Sequence, residues 1–146
     1  MKTPLAFAIM LLSASFTFAQ NNDKVTFVQS EKFGDQTLPF SPAVIVGNTI
    51  YLSGQIGGAD GALVPGGIIP ETKQIMENIK KVLEQNGSSM DNVVKCTCML
   101  ADIGEWDKMN SEYVKYFPAH KPARSAFGTS GLAKGARVEI ECIAVK

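Results

Sequence analysis

This sequence predicts an α+β fold: one mixed β-sheet with two helices covering one of its faces. Short β-rich runs and two amphipathic helical patterns follow one another in the order β, β, β, α, β, α, β, β. No internal repeat, linker or low-complexity segment interrupts that order. With 146 residues, 45% of them hydrophobic and 19% charged, the chain has material for one core and one domain rather than a disordered tail.

The first stretch, MKTPLAFAIMLLSASFTFAQ, has one cation, Lys2, then an apolar run from Leu5 to Phe18 and small residues around Ala19. That is the pattern of a secretory signal over residues 1–19, which leaves 20–146 as the folded domain. The apolar run is short and broken by Ser13, Ser15 and Thr17, a poor match to a membrane anchor. Export to a periplasm or to the outside is the expected localisation. KVTFVQS, residues 24 to 30, alternates as a first strand. PAVIVG and NTIYLSG, residues 42 to 54, flank Gly47-Asn48 and read as a hairpin.

GQIGGADGALVPGG, residues 54 to 67, is glycine-rich and reads as a loop. It lacks the Gly-Lys-Ser/Thr ending of a phosphate cradle. Residues 69 to 87 form a helical pattern with proline at the entry, Glu71 in the first turn, Gly87 at the exit, and Ile75, Met76, Ile79, Val82 and Leu83 on one face. DNVVKCTCMLAD, residues 91 to 102, reads as a buried strand. GEWDKMNSEYVKYF, residues 104 to 117, reads as a second helix with Trp106, Met109, Tyr113 and Phe117 inward and Asn110 flanking them. RSAFG, residues 124 to 128, and ARVEIECIAV, residues 136 to 145, supply the last strands. Two helices cover one face of such a sheet, so its other face is either polar or covered by another subunit.

Charge and cysteine content narrow the function. Fourteen basic and fourteen acidic groups become 13 and 14 once Lys2 leaves with the first 19 residues, a net charge near −1. No global attraction to nucleic acid or anionic membrane follows. Three cysteines, Cys96, Cys98 and Cys142, cannot pair completely, and Cys-x-Cys is not a zinc spacing. With a lone His120 there is no metal-ligand set, and none is expected. On a strand Cys96 and Cys98 share one face, where buried thiols serve as small hydrophobes, with oxidation in an exporting compartment as the other reading.

Chemistry concentrates in KPARSAFGTSGLAKGARVEIE, residues 121 to 141. In an extended segment Arg124 and Ala126 share a face, so a planar cation stands next to a very small side chain. Two readings fit: Arg124 binds a ligand carboxylate through paired hydrogen bonds, or it bridges structurally to Glu139 or Glu141. Glu139 either orients or deprotonates a water beside such a ligand, or is a solvated strand residue.

The stretch PARSAFGTSGLAKGARVEIE resembles the signature of the Rid family, the reactive intermediate deaminases of the YjgF type, some long described as L-PSP endoribonucleases. YLSGQI, NVVKCTCMLAD, MNSEY and EIECIAV carry the resemblance in order over residues 27 to 146. It implies a chorismate-mutase-like fold assembled as a homotrimer with clefts between subunits. It also implies cofactor-free hydrolysis of 2-imino acids and enamines, of the 2-aminoacrylate and 2-iminobutyrate type, to 2-oxo acids and ammonia. Transferred by position, Arg124 clamps the substrate carboxylate and Glu139 manages the attacking water. Ser53 and Gly54 line the pocket, and Asn110 supports it from the second helix. Phe40 stands where the family often has tyrosine and Ala126 where it often has cysteine; an aromatic wall is kept, and a hydroxyl and a thiol are lost. Two other functions stand beside this one: a non-catalytic module that binds carboxylate metabolites, and, less favoured, an endoribonuclease. The chain has neither a basic and aromatic stripe nor the histidine pair that phosphodiester cleavage favours.

Overall fold

The structure, a computed structural model, describes residues 24–29, 38–59 and 61–146. The expected leader, residues 1 to 19, lies outside them, and no described helix is long and apolar enough to cross a membrane. β1 (Val25–Phe27), β2 (Ala43–Val46) and β3 (Thr49–Leu52) run antiparallel in sequence order. Gly47 and Asn48 make the expected hairpin turn. Only the glycine takes positive φ, 56°, which fits a type II′ turn whose twist suits the flanking strands.

The glycine-rich stretch is not an unstructured loop. β4 (Gln55–Ile56) follows β3 along the chain and pairs with the last strand, and β5 (Gly58–Ala59) with β6 (Ala62–Leu63) forms a small separate ribbon. Glycine lowers local strand preference, but β4 finds its hydrogen-bond partners on that distant last strand, a tertiary effect that local composition does not register, while β5 and β6 pair with each other. α1 (Ile68–Gln85) follows, with Pro70 in its first turn, where a missing N–H breaks no helical bond. Ile68, Thr72, Ile75, Met76, Ile79 and Leu83 recur every three or four residues and are buried. Thr72 is tolerated there because its hydroxyl donates to the Ile68 carbonyl at 2.7 Å.

β7 (Val93–Leu100) leads to α2 (Trp106–Tyr113), which is shorter than the helical pattern of residues 104 to 117 and is flanked by single 3-10 turns. The Asp102 carboxylate accepts from the Gly104 N–H at 2.8 Å and sets the entry to the first of those turns. Met109, Tyr113 and Phe117 are buried as expected, but Trp106 is 40% exposed, because it opens the helix at the rim of the core. β8 (Ala123–Gly128) and β9 (Val138–Val145) complete the chain.

The sheet order is β1-β2-β3-β9-β7-β8, with β4 also paired to β9; the β7–β8 pairing alone is parallel. Strands adjacent in sequence, β8 and β9, are thus separated by β7. One face carries α1 and α2 and holds Ile50, Cys96, Cys98, Leu100, Val138, Ile140, Cys142 and Ala144 in the core. The other face has no helix and exposes Phe27, Tyr51, Phe127 and Val145. A buried glutamate, Glu71, accepts the Arg137 backbone N–H at 2.9 Å and fixes the start of α1 to the entry of β9.

Ile79 is fully buried between α1 and the sheet. Ile79→Ala should lower unfolding stability by about 2–5 kcal/mol, read from urea denaturation at fixed protein concentration. A loss below about 1 kcal/mol would show that the helix does not pack as described.

Candidate active site

Backbone register decides which of the expected residues meet. On β8, Arg124 and Ala126 align with Cys96 and Cys98 of β7, whose thiols are buried under the helices. Glu139 of β9 aligns instead with Met99, one residue out of phase with Cys98. Side chains alternate along a strand, so Arg124 belongs to the helix-covered face and Glu139 to the open one. Within one chain the sheet therefore lies between these two residues.

The Arg124 half is built by β8 and α2. Arg124 donates from Nη1 to Asn110 Oδ1 at 2.7 Å. Its guanidinium carbon lies 4.8 Å from the centroid of the Tyr113 ring and 5.6 Å from that of Trp106. Positions 106, 110 and 113 fall one and two turns apart, so one stripe of α2 supplies an acceptor between two aromatic faces. Asn110 was expected at this site; the aromatic platforms were expected only as core residues. No carboxylate pairs with Arg124 among the described residues, which removes the structural bridge to Glu139 or Glu141.

A cleft of about 310 Å³ opens in front of the guanidinium, lined by Asn110, Tyr113, Val114, Phe117, Lys121, Pro122 and Arg124. An arginine has five N–H donors, so one bond to Asn110 leaves others to meet a carboxylate, with Lys121 as a second cation. Ala126, expected among the substrate-binding residues, is half-buried against the core and does not line this cleft. Burial of the Tyr113 hydroxyl raises its pKa, so the ring beneath Arg124 stays neutral at physiological pH.

The Glu139 half forms where β3 passes into β4. Tyr51 pairs with Ile143 and Gln55 with Ile140, so three residues on one strand oppose two on β9. This is a β-bulge at Leu52–Gly54, a device that re-aims side chains and is common beside active sites. A Cβ on Gly54 would lie 2.0 Å from Glu139 Oε1, so glycine is required because the Glu139 carboxylate lies against its backbone.

Ser53, expected to line the pocket with its hydroxyl or backbone groups, stands just after β3 and beside Gly54. Its hydroxyl donates to the Ser41 carbonyl at 2.7 Å, and its N–H donates to the Pro42 carbonyl at 3.0 Å. Both bonds tie the segment that carries Phe40 to the end of β3. Phe40 is 51% exposed and does not line the Arg124 cleft. The expected residues therefore divide into Arg124 with Asn110 on one face, and Glu139 with Gly54 on the other, beside the end of β3 to which Ser53 ties the Phe40 segment.

Comparison with known proteins places this geometry in context. The family described as Endoribonuclease L-PSP matches residues 33–146. A goat protein named 2-iminobutanoate/2-iminopropanoate deaminase is 49% identical over 110 residues, 74% of this chain and 80% of its own. Reactive Intermediate Deaminase A of Arabidopsis thaliana, a chloroplast protein, is 36% identical over 133 residues, 90% of this chain and 71% of its own. A crystallised endoribonuclease L-PSP homologue from Entamoeba histolytica is 45% identical and superposes with a TM-score of 0.77 over 84% of this chain and 100% of its own.

Carboxylate binding tests the Arg124 half by itself. Calorimetry with 2-oxobutyrate should show binding lost in Arg124→Ala and weakened about 2- to 30-fold in Tyr113→Leu, the range of a cation–π contact. Tyr113→Phe keeps the ring and should bind like the parent. Parent-like binding by Tyr113→Leu would remove the ring from this account.

Proposed function

The chain belongs to the endoribonuclease L-PSP family, which includes the reactive intermediate deaminases, and we propose that it hydrolyses small 2-imino acids and their enamine tautomers to 2-oxo acids and ammonia. The observation that carries this reading is the uncompensated Arg124 guanidinium, held by Asn110 over two aromatic rings at the mouth of a cleft. A substrate of the 2-aminoacrylate or 2-iminobutyrate type brings the carboxylate that this fork fits.

With the carboxylate docked on Arg124, the adjacent protonated imine carbon is electrophilic and needs only a water. Glu139 takes a proton from that water as its oxygen bonds to carbon, and the C=N electrons move onto nitrogen. The resulting carbinolamine receives that proton on nitrogen; its C–N bond then breaks as the hydroxyl oxygen forms the C=O bond and gives its proton to the Glu139 carboxylate, releasing the 2-oxo acid and ammonia. General base assistance contributes roughly a hundredfold to ten-thousandfold. The iminium supplies its own electron sink, so this route calls on neither a metal nor an organic cofactor.

Because the sheet separates the two halves within one chain, the working site on this reading joins Arg124 of one copy to Glu139 of another. The open sheet face, with Phe27, Tyr51, Phe127 and Val145 exposed, is the surface suited to bury against further copies, in the homotrimer that the family resemblance implies. A carboxylate-binding module is the second reading, favoured by that same separation: one chain alone has the clamp without the base. Phosphodiester cleavage fits less well, since the chain has a single histidine and no net positive charge. The leader-like residues 1–19 support export as the setting.

Ammonia and 2-oxo acid release from enzymatically generated 2-iminobutyrate measures the activity. Arg124→Ala removes hydrogen bonds worth about 1.5–3 kcal/mol each, so kcat/KM should fall by about 10²–10⁴ for two of them. Equal rates in Arg124→Ala and the parent would falsify the proposal. Glu139→Gln should lower kcat by about 10²–10⁴ with little change in KM. Gly54→Ala should fold, because only the end of a flexible side chain must move, yet lose activity to a similar degree as Glu139 is displaced. Full activity in Gly54→Ala would detach Glu139's position from the chemistry.

A further inference from the structure

The proposed hydrolysis uses none of the three thiols, yet two of them are placed as a pair. Cys96 on β7 and Cys142 on β9 are direct cross-strand partners, pointing to the same helix-covered face. Their sulfurs are 2.9 Å apart, with 0% and 2% of each residue exposed. Opposed residues of an antiparallel pair have Cβ atoms about 4.5–5.5 Å apart, close to the roughly 3.5–4.5 Å that a disulfide spans. The bond therefore closes with a small side-chain adjustment and no change of register.

The surroundings separate this pair from the third thiol. Cys98 faces Ile140 across the ladder, and burial pushes its pKa up to about 12, so it remains a protonated core side chain. The hydrogen bond between the paired thiols pulls Cys96 down and Cys142 up, the pattern of a proton shared between two sulfurs; Tyr113 and the nearby cations of Arg124 and Lys95 also favour the Cys96 thiolate. The Tyr113 hydroxyl is buried beside them.

We propose that Cys96 and Cys142 are a modification site: they form a disulfide that clamps β7 to β9 when the chain folds in the presence of a small exchangeable disulfide. One cysteine thiolate attacks a sulfur of that small disulfide and expels one small thiolate, which takes up the proton the cysteine released. The other cysteine then attacks the protein sulfur of the mixed disulfide, forming the cross-strand bond and expelling the second small thiol. Two protein thiols are oxidised, and one small disulfide is reduced to two thiols. Burial restricts this exchange to the folding or transiently open chain, and the strand register then selects the partner.

The full chain refolded from denaturant in buffer with oxidised glutathione in excess tests this, with free thiols alkylated under denaturing conditions and peptides mapped by mass spectrometry. One bond joining Cys96 to Cys142, with Cys98 alkylated, is expected. Adding a reductant should shift the urea midpoint of the oxidised parent downward and leave that of Cys142→Ser unmoved. Three alkylated cysteines at every glutathione ratio, or a bond to Cys98, would overturn the proposal. The parent measurement stands whether or not Cys142→Ser folds.

Discussion

The position of β7 between β8 and β9 governs the arrangement of everything that carries chemistry. Alternation along three hydrogen-bonded strands leaves no freedom: once Cys96 and Cys98 face the helices, Arg124 and Ala126 do too, and Glu139 and Glu141 cannot. A shift of one residue would turn Glu139 and Glu141 of β9 toward the core, or carry Arg124 of β8 to the open face and away from Asn110. The same register sets Cys142 opposite Cys96 and lays the Glu139 carboxylate against Gly54.

What this constraint produces is an arginine ready to bind. Burying a cation is expensive unless something compensates, and a carboxylate from the same chain would do so at the price of function. Here a neutral acceptor, Asn110, and two ring faces hold the guanidinium without consuming its charge. Such partners orient the fork and leave its field directed into the cleft, where a small anion completes it. The bulge before β4 does the equivalent for Glu139: an extra residue and a missing side chain make room for a carboxylate that stays half-exposed.

Much of this was legible in the residues. The helical spacing of Ile75, Met76, Ile79 and Leu83, the Gly47-Asn48 turn and the alternation of β9 identify their elements, because local sterics and burial of one face decide them. Helical spacing put Asn110 beside the aromatic stripe of α2, and only the family resemblance implied that it supports the cleft of Arg124. The relation between Arg124 and Glu139 was not legible, since sequence neighbours β8 and β9 are not neighbours in the sheet, and pairing order is a property of the whole fold. Gln55–Ile56 went unread as a strand for the same reason: their partners lie more than eighty residues away, on β9. Nothing local shows that the Ser53 hydroxyl finds the Ser41 carbonyl, twelve residues earlier in the chain.

The claim on which the account rests is that clamp and base come from different copies of the chain. Mixing inactive Arg124→Ala protein with inactive Glu139→Gln protein, unfolding both and refolding them together, tests it directly by ammonia release from 2-iminobutyrate. Shared sites predict that the mixture regains activity absent from either variant alone, since some clefts then receive an intact Arg124 and an intact Glu139. A mixture as inactive as its components, although the chains have demonstrably co-assembled, would contradict the account and return both residues to a single chain.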